Sequence, residues 1–267
     1  MSGFSADWLA LREPLDHRAR NRSVRDAVAA AFAGRASLSI IDLGSGTGST
    51  VRALQTHLPK PQRWTLVDDD PVLLAEAYAM ERPAGVTVET VQADLGCDVA
   101  SLLAADTDLV TASALLDLVS EPWLANFAAA VAARALPVYV ALSYDGRATL
   151  DDADPLDEAV VAALNAHQRR NKGFGPALGP RAAAFAVRLF RTFGYDVVQG
   201  ESDWVSGPAD AMFQSKLLAG WVHAAQEIGT PRHQLQDWLA RRRDGIAAGR
   251  LSVRVGHVDF FARPKAR

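Results

Sequence analysis

Apolar and polar positions along this chain switch repeatedly between short buried runs and helical stripes. Residues 38–43, Leu-Ser-Ile-Ile-Asp-Leu, form an apolar run that stops at glycines, as a buried parallel strand does. A helix follows over 51–58, closed by Pro59 and Pro61. Residues 63–68 read as a strand, 71–81 as a helix opening with proline, 86–92 as an alternating strand and 109–112 as another strand. A helix over 122–134 and a strand over 137–143, with Val138, Tyr139 and Val140, complete this stretch. Parallel strands need crossover helices, so the β-α-β-α order predicts a parallel sheet covered on both faces.

Beyond residue 143 the rhythm breaks. Residues 145–154 are acidic and loop-like, and Asp154-Pro155 predicts a helix start. Leu156, Val160, Leu164 and His167 share one face of that helix. A glycine-proline loop (Gly173 to Pro176, then Gly179-Pro180) leads to a helix carrying Phe185, Leu189, Phe190 and Phe193, which stops at Gly194. A strand resumes over 195–198. Two further helices are expected: 208–228, with a stripe of Phe213, Leu217, Trp221 and Ala225, and 231–248, capped by Thr230. Val253, Val255, Val258 and Phe260 alternate as a last strand, with Gly256 at a bulge. Upstream, residues 5–33 read as two helical pieces divided at Pro14 and ended by Gly34.

The expected fold is α/β, a doubly wound, mostly parallel seven-stranded sheet with helical insertions after strand 5 and between strands 6 and 7. Residues 1–36 are an N-terminal helical segment and 37–267 the main domain, with cap insertions at about 145–180 and 204–250 that are natural substrate-selecting elements.

Composition narrows the function classes. Hydrophobic residues make up 49% and charged residues 22% of the 267, the balance of a soluble globular protein. With 28 basic and 31 acidic side chains, the net charge of −3 gives no electrostatic reason to expect a nucleic-acid partner. The densest basic cluster, Arg241 to Arg243, reads as a solvated helix end. The single cysteine, Cys97, excludes an internal disulfide and a cysteine-rich metal site. The N-terminus lacks the basic region and apolar run of a signal peptide. The most apolar stretch, 127–144, contains Arg134 and Pro137 and is no membrane span. A cytoplasmic enzyme with no metal is the expectation.

The sharpest signal is Ile41-Asp-Leu-Gly-Ser-Gly-Thr-Gly48, glycines between an apolar strand and a helix. They permit a tight turn and a close backbone approach to a ligand at a helix N-terminus. A dinucleotide fingerprint, Gly-x-Gly-x-x-Gly, fails here because position 49 is serine. Asp42 is unfavourable beside a pyrophosphate but favourable beside an ammonium group. The second strand ends in Asp68, 24 residues beyond Gly44, where a carboxylate can accept both hydroxyl hydrogens of a ribose.

Asp-x-Gly-x-Gly-x-Gly over 42–48 resembles motif I of the class I, Rossmann-like methyltransferases that use S-adenosylmethionine. The resemblance covers residues 38–144 well and the strands near 195 and 258 loosely. It implies S-adenosyl-L-methionine as cofactor, with Asp42 supporting the methionine ammonium group through a water. Gly44, Ser45 and Gly46 then let the backbone pass close to the methionine and ribose. Asp68 becomes the ribose acid, and Asp69 either flanks the adenine or is a solvated loop acid. Asp94 accepts from the adenine amino group, with Leu95 packing nearby, or else caps the next helix. Residues 111–118 fall where the family places side chains beside the transferable methyl. Ser113 and Asp117 are the candidates there, Asp117 having a second reading as a helix cap. The segment lacks the Asn-Pro-Pro-Tyr type of motif, which disfavours amino groups of adenine or glutamine as acceptors.

Methyl transfer from a sulfonium is an in-line displacement, and holding the reactants in contact supplies on the order of 7–11 kcal/mol. A base is needed only where the acceptor must lose a proton. Asp117, Tyr144 and His167 are the candidate catalytic groups; His167 also reads as a surface histidine, beside Asn165. Arg169 and Arg170 read as a solvated helix end, and Lys172 with its glycines as a mobile lid loop. Trp204, Trp221 and Trp238 line a pocket or belong to the core, and His223 is exposed. The N-terminal helix, with Trp8, Arg12 and Asp16, folds over the cofactor in many relatives. A small-molecule acceptor is the leading expectation. A protein or ribosomal-RNA acceptor, a dinucleotide oxidoreductase (against which Ser49 and Asp42 argue) and a non-catalytic binding protein on the same fold are the competitors.

Overall fold

In the computed structural model, which describes residues 4–97 and 99–265, two helices, α1 (Ala6–Ala19) and α2 (Arg22–Phe32), precede the sheet. The alternating core follows as β1 (Leu38–Leu43), α3 (Ser49–Leu54), β2 (Gln62–Asp68), α4 (Pro71–Ala79), β3 (Val86–Gln92), α5 (Val99–Leu102), β4 (Leu109–Ser113), α6 (Glu121–Ala133) and β5 (Val138–Leu150). The last third contains α7 (Asp157–His167), α8 (Ala182–Thr192), β6 (Tyr195–Glu201), β7 (Trp204–Ser206), α9 (Ala211–Glu227), α10 (Arg232–Ala247) and β8 (Val253–Pro264).

The sheet runs β3-β2-β1-β4-β5-β8-β6, with β7 added beside β8. The first five strands are mutually parallel, while β8 is antiparallel to β5, β6 and β7. Eight strands therefore replace the seven expected, and the second insertion lies between β7 and β8. The extra one, only three residues long, pairs Trp204 with Val255 and Ser206 with Val253. Its brevity hid it from periodicity.

Alternation within each strand divides two apolar layers. Leu38, Ile40, Trp64, Leu66, Tyr139 and Ala141 face one cluster, while Ile41, Leu43, Val67, Val138 and Val140 face the other. Both faces are thus dry, which is why the strands read as continuous apolar runs. The first cluster takes in Val24, Val28 and Phe32 of α2 and Trp221 and Trp238 of α9 and α10; the second takes in Phe127 of α6 and Phe190 of α8. The stripe of Phe213, Leu217, Trp221 and Ala225 is buried as expected, and so is Trp204.

Five local expectations need correction. Pro14 lies inside α1, and the helices divide at Arg20-Asn21, where the Asn21 side chain accepts from the Val24 amide at 3.1 Å. The side-chain cap at Asn21 decides the break, and exposed Pro14 is tolerated. Asp154 accepts from the Leu156 amide at 2.9 Å, but α7 begins only at Asp157; α10 starts after Pro231, and Thr230 makes no capping bond. Arg242 is buried rather than solvated, with Nη2 3.0 Å from Asp157. Finally, β5 continues to Leu150 through a region expected to be loop.

That extension shapes the site. β5 carries two irregularities against β8, one between Val140 and Ser143 and one between Tyr144 and Ala148. At the first, Leu142 adopts φ 55 and its amide donates to Asp259 Oδ1 at 2.7 Å. At the second, Asp145 to Arg147 cross directly over Gly256, where a β-carbon would collide with Asp145 and with Arg147 Cβ. The bulge is thus on β5, and Gly256 is the partner that makes room for it.

Candidate active site

The parallel strands end at one edge, and the strand order reverses between β1 and β4, the switch point where open α/β sheets bind ligands. The glycine loop after β1 has Gly44, Gly46 and Gly48 at φ 64, 52 and 82, a left-handed backbone that favours glycine. Asp68 braces it: Oδ2 accepts from the Gly46 amide at 2.8 Å and Oδ1 from the Asp70 amide at 3.1 Å. The Ser45 amide donates to Val67 O at 3.0 Å, tying the loop to the end of β2, and the Ser45 hydroxyl is buried without a partner.

Asp42 is 1% exposed, and its Oδ1 accepts from Thr111 Oγ1 at 2.7 Å. Its Oδ2 is buried with no hydrogen-bond partner among the described residues. Burial pushes its pKa up to about 6, with Thr111, Arg20 and the Thr50 hydroxyl pulling back. A buried carboxylate with one oxygen unmatched favours an arriving cationic donor. Arg20, just beyond α1, is itself buried and donates to Tyr139 Oη at 3.3 Å and to Ser113 Oγ at 3.4 Å. Ser113 is thus met by a guanidinium from the N-terminal segment.

Asp94 is exposed and caps its own turn, its Oδ1 accepting from the Gly96 amide at 2.8 Å. Leu95 is buried, and its carbonyl accepts from Trp123 Nε1 at 2.5 Å. Asp69 is exposed. Beyond Asp94 lies a cavity of about 240 Å³ lined by Gly96, Val99, Ser120, Trp123 and Phe174 among others. Phe174 reaches it from the glycine-proline loop, edge-on to Trp123 with centroids 5.6 Å apart.

The catalytic candidates divide. Asp117 is buried in a 3₁₀ turn after β4, with Oδ1 unpartnered. It is not the cap of α6, a role taken by Ser120, which accepts from the Trp123 amide at 3.3 Å. Burial pushes Asp117 up to about 6, opposed by backbone amides including that of Tyr144 and by Arg12 and Lys172. Tyr144 is buried beside it, donating to Asn165 Oδ1 of α7 at 2.8 Å. Burial raises its pKa beyond the range in which it acts as a base. His167 stands apart. Its Nε2 is 3.4 Å from exposed Glu227, which also pairs with Arg170 and His223, while its Nδ1 is 3.2 Å from Lys172 Nζ. Burial first, then Lys172, lowers its pKa.

Three groups escaped the sequence reading. Thr111 holds Asp42, Arg20 faces Asp42 and Ser113, and His257 on β8 is buried among Trp204 and Tyr144, with ring centroids at 4.6 and 6.1 Å. The available signal was a histidine and an aspartate, His257 and Asp259, within the apolar middle of the final strand.

Sheet order, the glycine-loop crevice and the acid at the end of β1 define a class I, Rossmann-like methyltransferase architecture. Residues 40–137 match a family model described as a methyltransferase domain. Nearly the whole chain is similar in fold to a cyclopropane-fatty-acyl-phospholipid synthase-like protein from Lactobacillus casei (TM-score 0.53, 14% identity, 97% of this chain and 94% of that one). The cyclopropane synthase MmaA2 from Mycobacterium tuberculosis is similar too (TM-score 0.52, 11% identity, 97% and 94%). So is the YcgJ protein from Bacillus subtilis (TM-score 0.50, 12% identity, 92% and 100%). At these identities the likeness is one of fold. No curated protein matches the chain. Among the described residues no helix is long and apolar enough to cross a membrane.

Proposed function

We propose that this protein binds S-adenosyl-L-methionine in the glycine-loop crevice and methylates a small molecule held between that crevice and the α7 insertion. The observation that carries the reading is the buried, unmatched Oδ2 of Asp42 beside three left-handed glycines. That oxygen suits the ammonium end of the cofactor, and the bare loop suits close passage of its methionine and ribose. Asp68, at the end of β2, is the ribose acid; Asp94 and Leu95 border the adenine end, with Ser45 and Ser113 along the way and Asp69 at its rim. The bound cofactor supplies an electrophilic methyl on a sulfonium.

Asp117 takes the proton of the acceptor. A carboxylate with a pKa near 6 is ionised at neutral pH yet basic enough to help. Tyr144, fixed by Asn165, orients the acceptor, and His167 acts at one remove through Lys172. The insertions at about 145–180 and 204–250 serve as caps, supplying Asn165, Lys172 and the Phe213 ring that stacks on Trp8 at 5.5 Å. The net charge of −3 supports a small molecule over a nucleic acid, and a cytoplasmic setting fits the lone cysteine.

Calorimetry with S-adenosylmethionine, S-adenosylhomocysteine and NAD tests the reading. The sulfonium compound and its product are expected to bind; binding of NAD alone overturns the assignment. Incubation with radiolabelled S-adenosylmethionine and separate pools of metabolites, RNA and protein is expected to label only the metabolites.

A further inference from the structure

We propose that Arg12 is a carboxylate anchor, and that the methyl acceptor is therefore a small organic acid whose reacting hydroxyl or amine lies at Asp117. The inference rests on the methyltransferase reading and extends it to the substrate class.

Arg12 lies on α1, one helical turn from Leu9, the residue that packs on the glycine loop. It is 7% exposed. One edge of its guanidinium is clamped, Nε donating to Asp16 Oδ2 at 2.9 Å, while Asp16 Oδ1 accepts from Trp204 Nε1 at 2.8 Å. Its plane is backed by the Trp204 ring, 5.3 Å from the guanidinium carbon. The orientation is thereby fixed, yet neither Nη nitrogen has a hydrogen-bond partner among the described residues. An oriented guanidinium, its two terminal nitrogens unpartnered among the described residues and not sealed from solvent, is matched by the two oxygens of a carboxylate.

Its surroundings point to the acceptor side. Arg12 backs onto Trp204, whose ring lies 4.6 Å from that of His257, which in turn lies 6.1 Å from Tyr144, and its charge acts on Asp117 and His257. Lys172 brings a second positive charge toward Asp117 from the glycine-proline loop. Asp117 keeps one buried oxygen free, so an anchored acid meets a fork for its carboxylate and an acceptor for its X–H hydrogen. The cofactor also carries a carboxylate, and the test separates the two sources.

Wild-type protein saturated with S-adenosylhomocysteine is titrated with acetate, benzoate, 4-hydroxybenzoate and octanoate, and with the neutral amide of each, following tryptophan fluorescence and heat. At least one acid is expected to bind saturably, with its amide about 10-fold or more weaker. Arg12→Gln is expected to weaken that acid by a similar factor and leave S-adenosylhomocysteine affinity unchanged, with Arg12→Lys intermediate because it keeps the charge but loses the fork. The acid-against-amide comparison uses unmodified protein, so it stands even where a variant misfolds. Equal binding of acid and amide, or no binding by any acid, overturns the proposal. Displacement of S-adenosylhomocysteine by the acids, or loss of its affinity in Arg12→Gln, also overturns it and assigns the fork to the cofactor. Failure of the wild type to bind S-adenosylhomocysteine sinks the methyltransferase reading itself, and the anchor with it.

Discussion

Leu9 rests on Gly46, so closely that a β-carbon built on the glycine would lie 3.1 Å from Leu9 Cδ1. Helix α1 is therefore a cover on the glycine loop, pinned by Arg52 to Glu13 at 2.5 Å, Arg18 to Asp210 at 2.9 Å and the stack of Trp8 on Phe213. Gly46→Ala adds both this contact and a left-handed conformation that disfavours a side chain by about 1–2 kcal/mol. The variant is expected to melt lower and to lose S-adenosylhomocysteine affinity by about 10-fold. Leu9→Ala in the same chain relieves the contact but not the strain. Wild-type affinity in Gly46→Ala, measured by calorimetry, would remove the loop from the cofactor site.

As the proposed base, Asp117 is expected to give the reaction its pH dependence. Only the ionised form accepts a proton, so kcat is expected to rise as pH passes through about 6 and then level. Asp117→Asn is expected to lower kcat by about 10²–10⁴-fold and abolish that limb, with cofactor affinity retained. An unchanged profile in the variant assigns the base elsewhere.

The parallel half of this molecule was legible because each signal was local. Leu38–Leu43 is apolar over a strand's length, and glycines after it mark the loop. Asp42 and Asp68 could be found because strand ends are adjacent in any such sheet. The antiparallel half was less legible. β7 is three residues long, and β5 runs past its apolar stretch because the polar residues Asp145 to Arg147 bulge over Gly256. The proposed acceptor side was the least legible of all. Arg12, Asp117, Tyr144 and His257 come from four separate elements, and no spacing in the sequence announces their meeting.

In its proposed role Asp42 is expected to set cofactor affinity against stability. Its pKa is raised from 3.8 to about 6, so its contribution to stability is complete below pH 3.8 and is lost as pH rises through 6. The ionised group at neutral pH thus costs at most about 3 kcal/mol. Asp42→Asn is expected to melt above the wild type at pH 7, with the gap closing near pH 4. The same change is expected to weaken S-adenosylmethionine by about 10- to 100-fold, since the ammonium loses its counter-charge. Tighter cofactor binding in the variant contradicts the proposed role.

His257 works in the opposite sense. Burial, then the nearby Arg12 charge, lowers its pKa from 6.5 to about 3. The neutral ring is held with Nδ1 3.0 Å from Val255 O, so this nitrogen carries the hydrogen. A depressed pKa contributes stability that is present above pH 6.5 and lost as pH falls toward 3, because only the unfolded chain takes up the proton. At pH 5 the loss is about 2 kcal/mol. Phenylalanine suits the aromatic surroundings of Trp204 and Tyr144 but cannot donate to Val255, a bond that contributes about 1 kcal/mol. His257→Phe is therefore expected to melt below the wild type at pH 7.5 and above it at pH 5. The crossing is the diagnostic: two melting curves that fall in parallel from pH 7.5 to 5 mean that His257 is protonated in the folded protein.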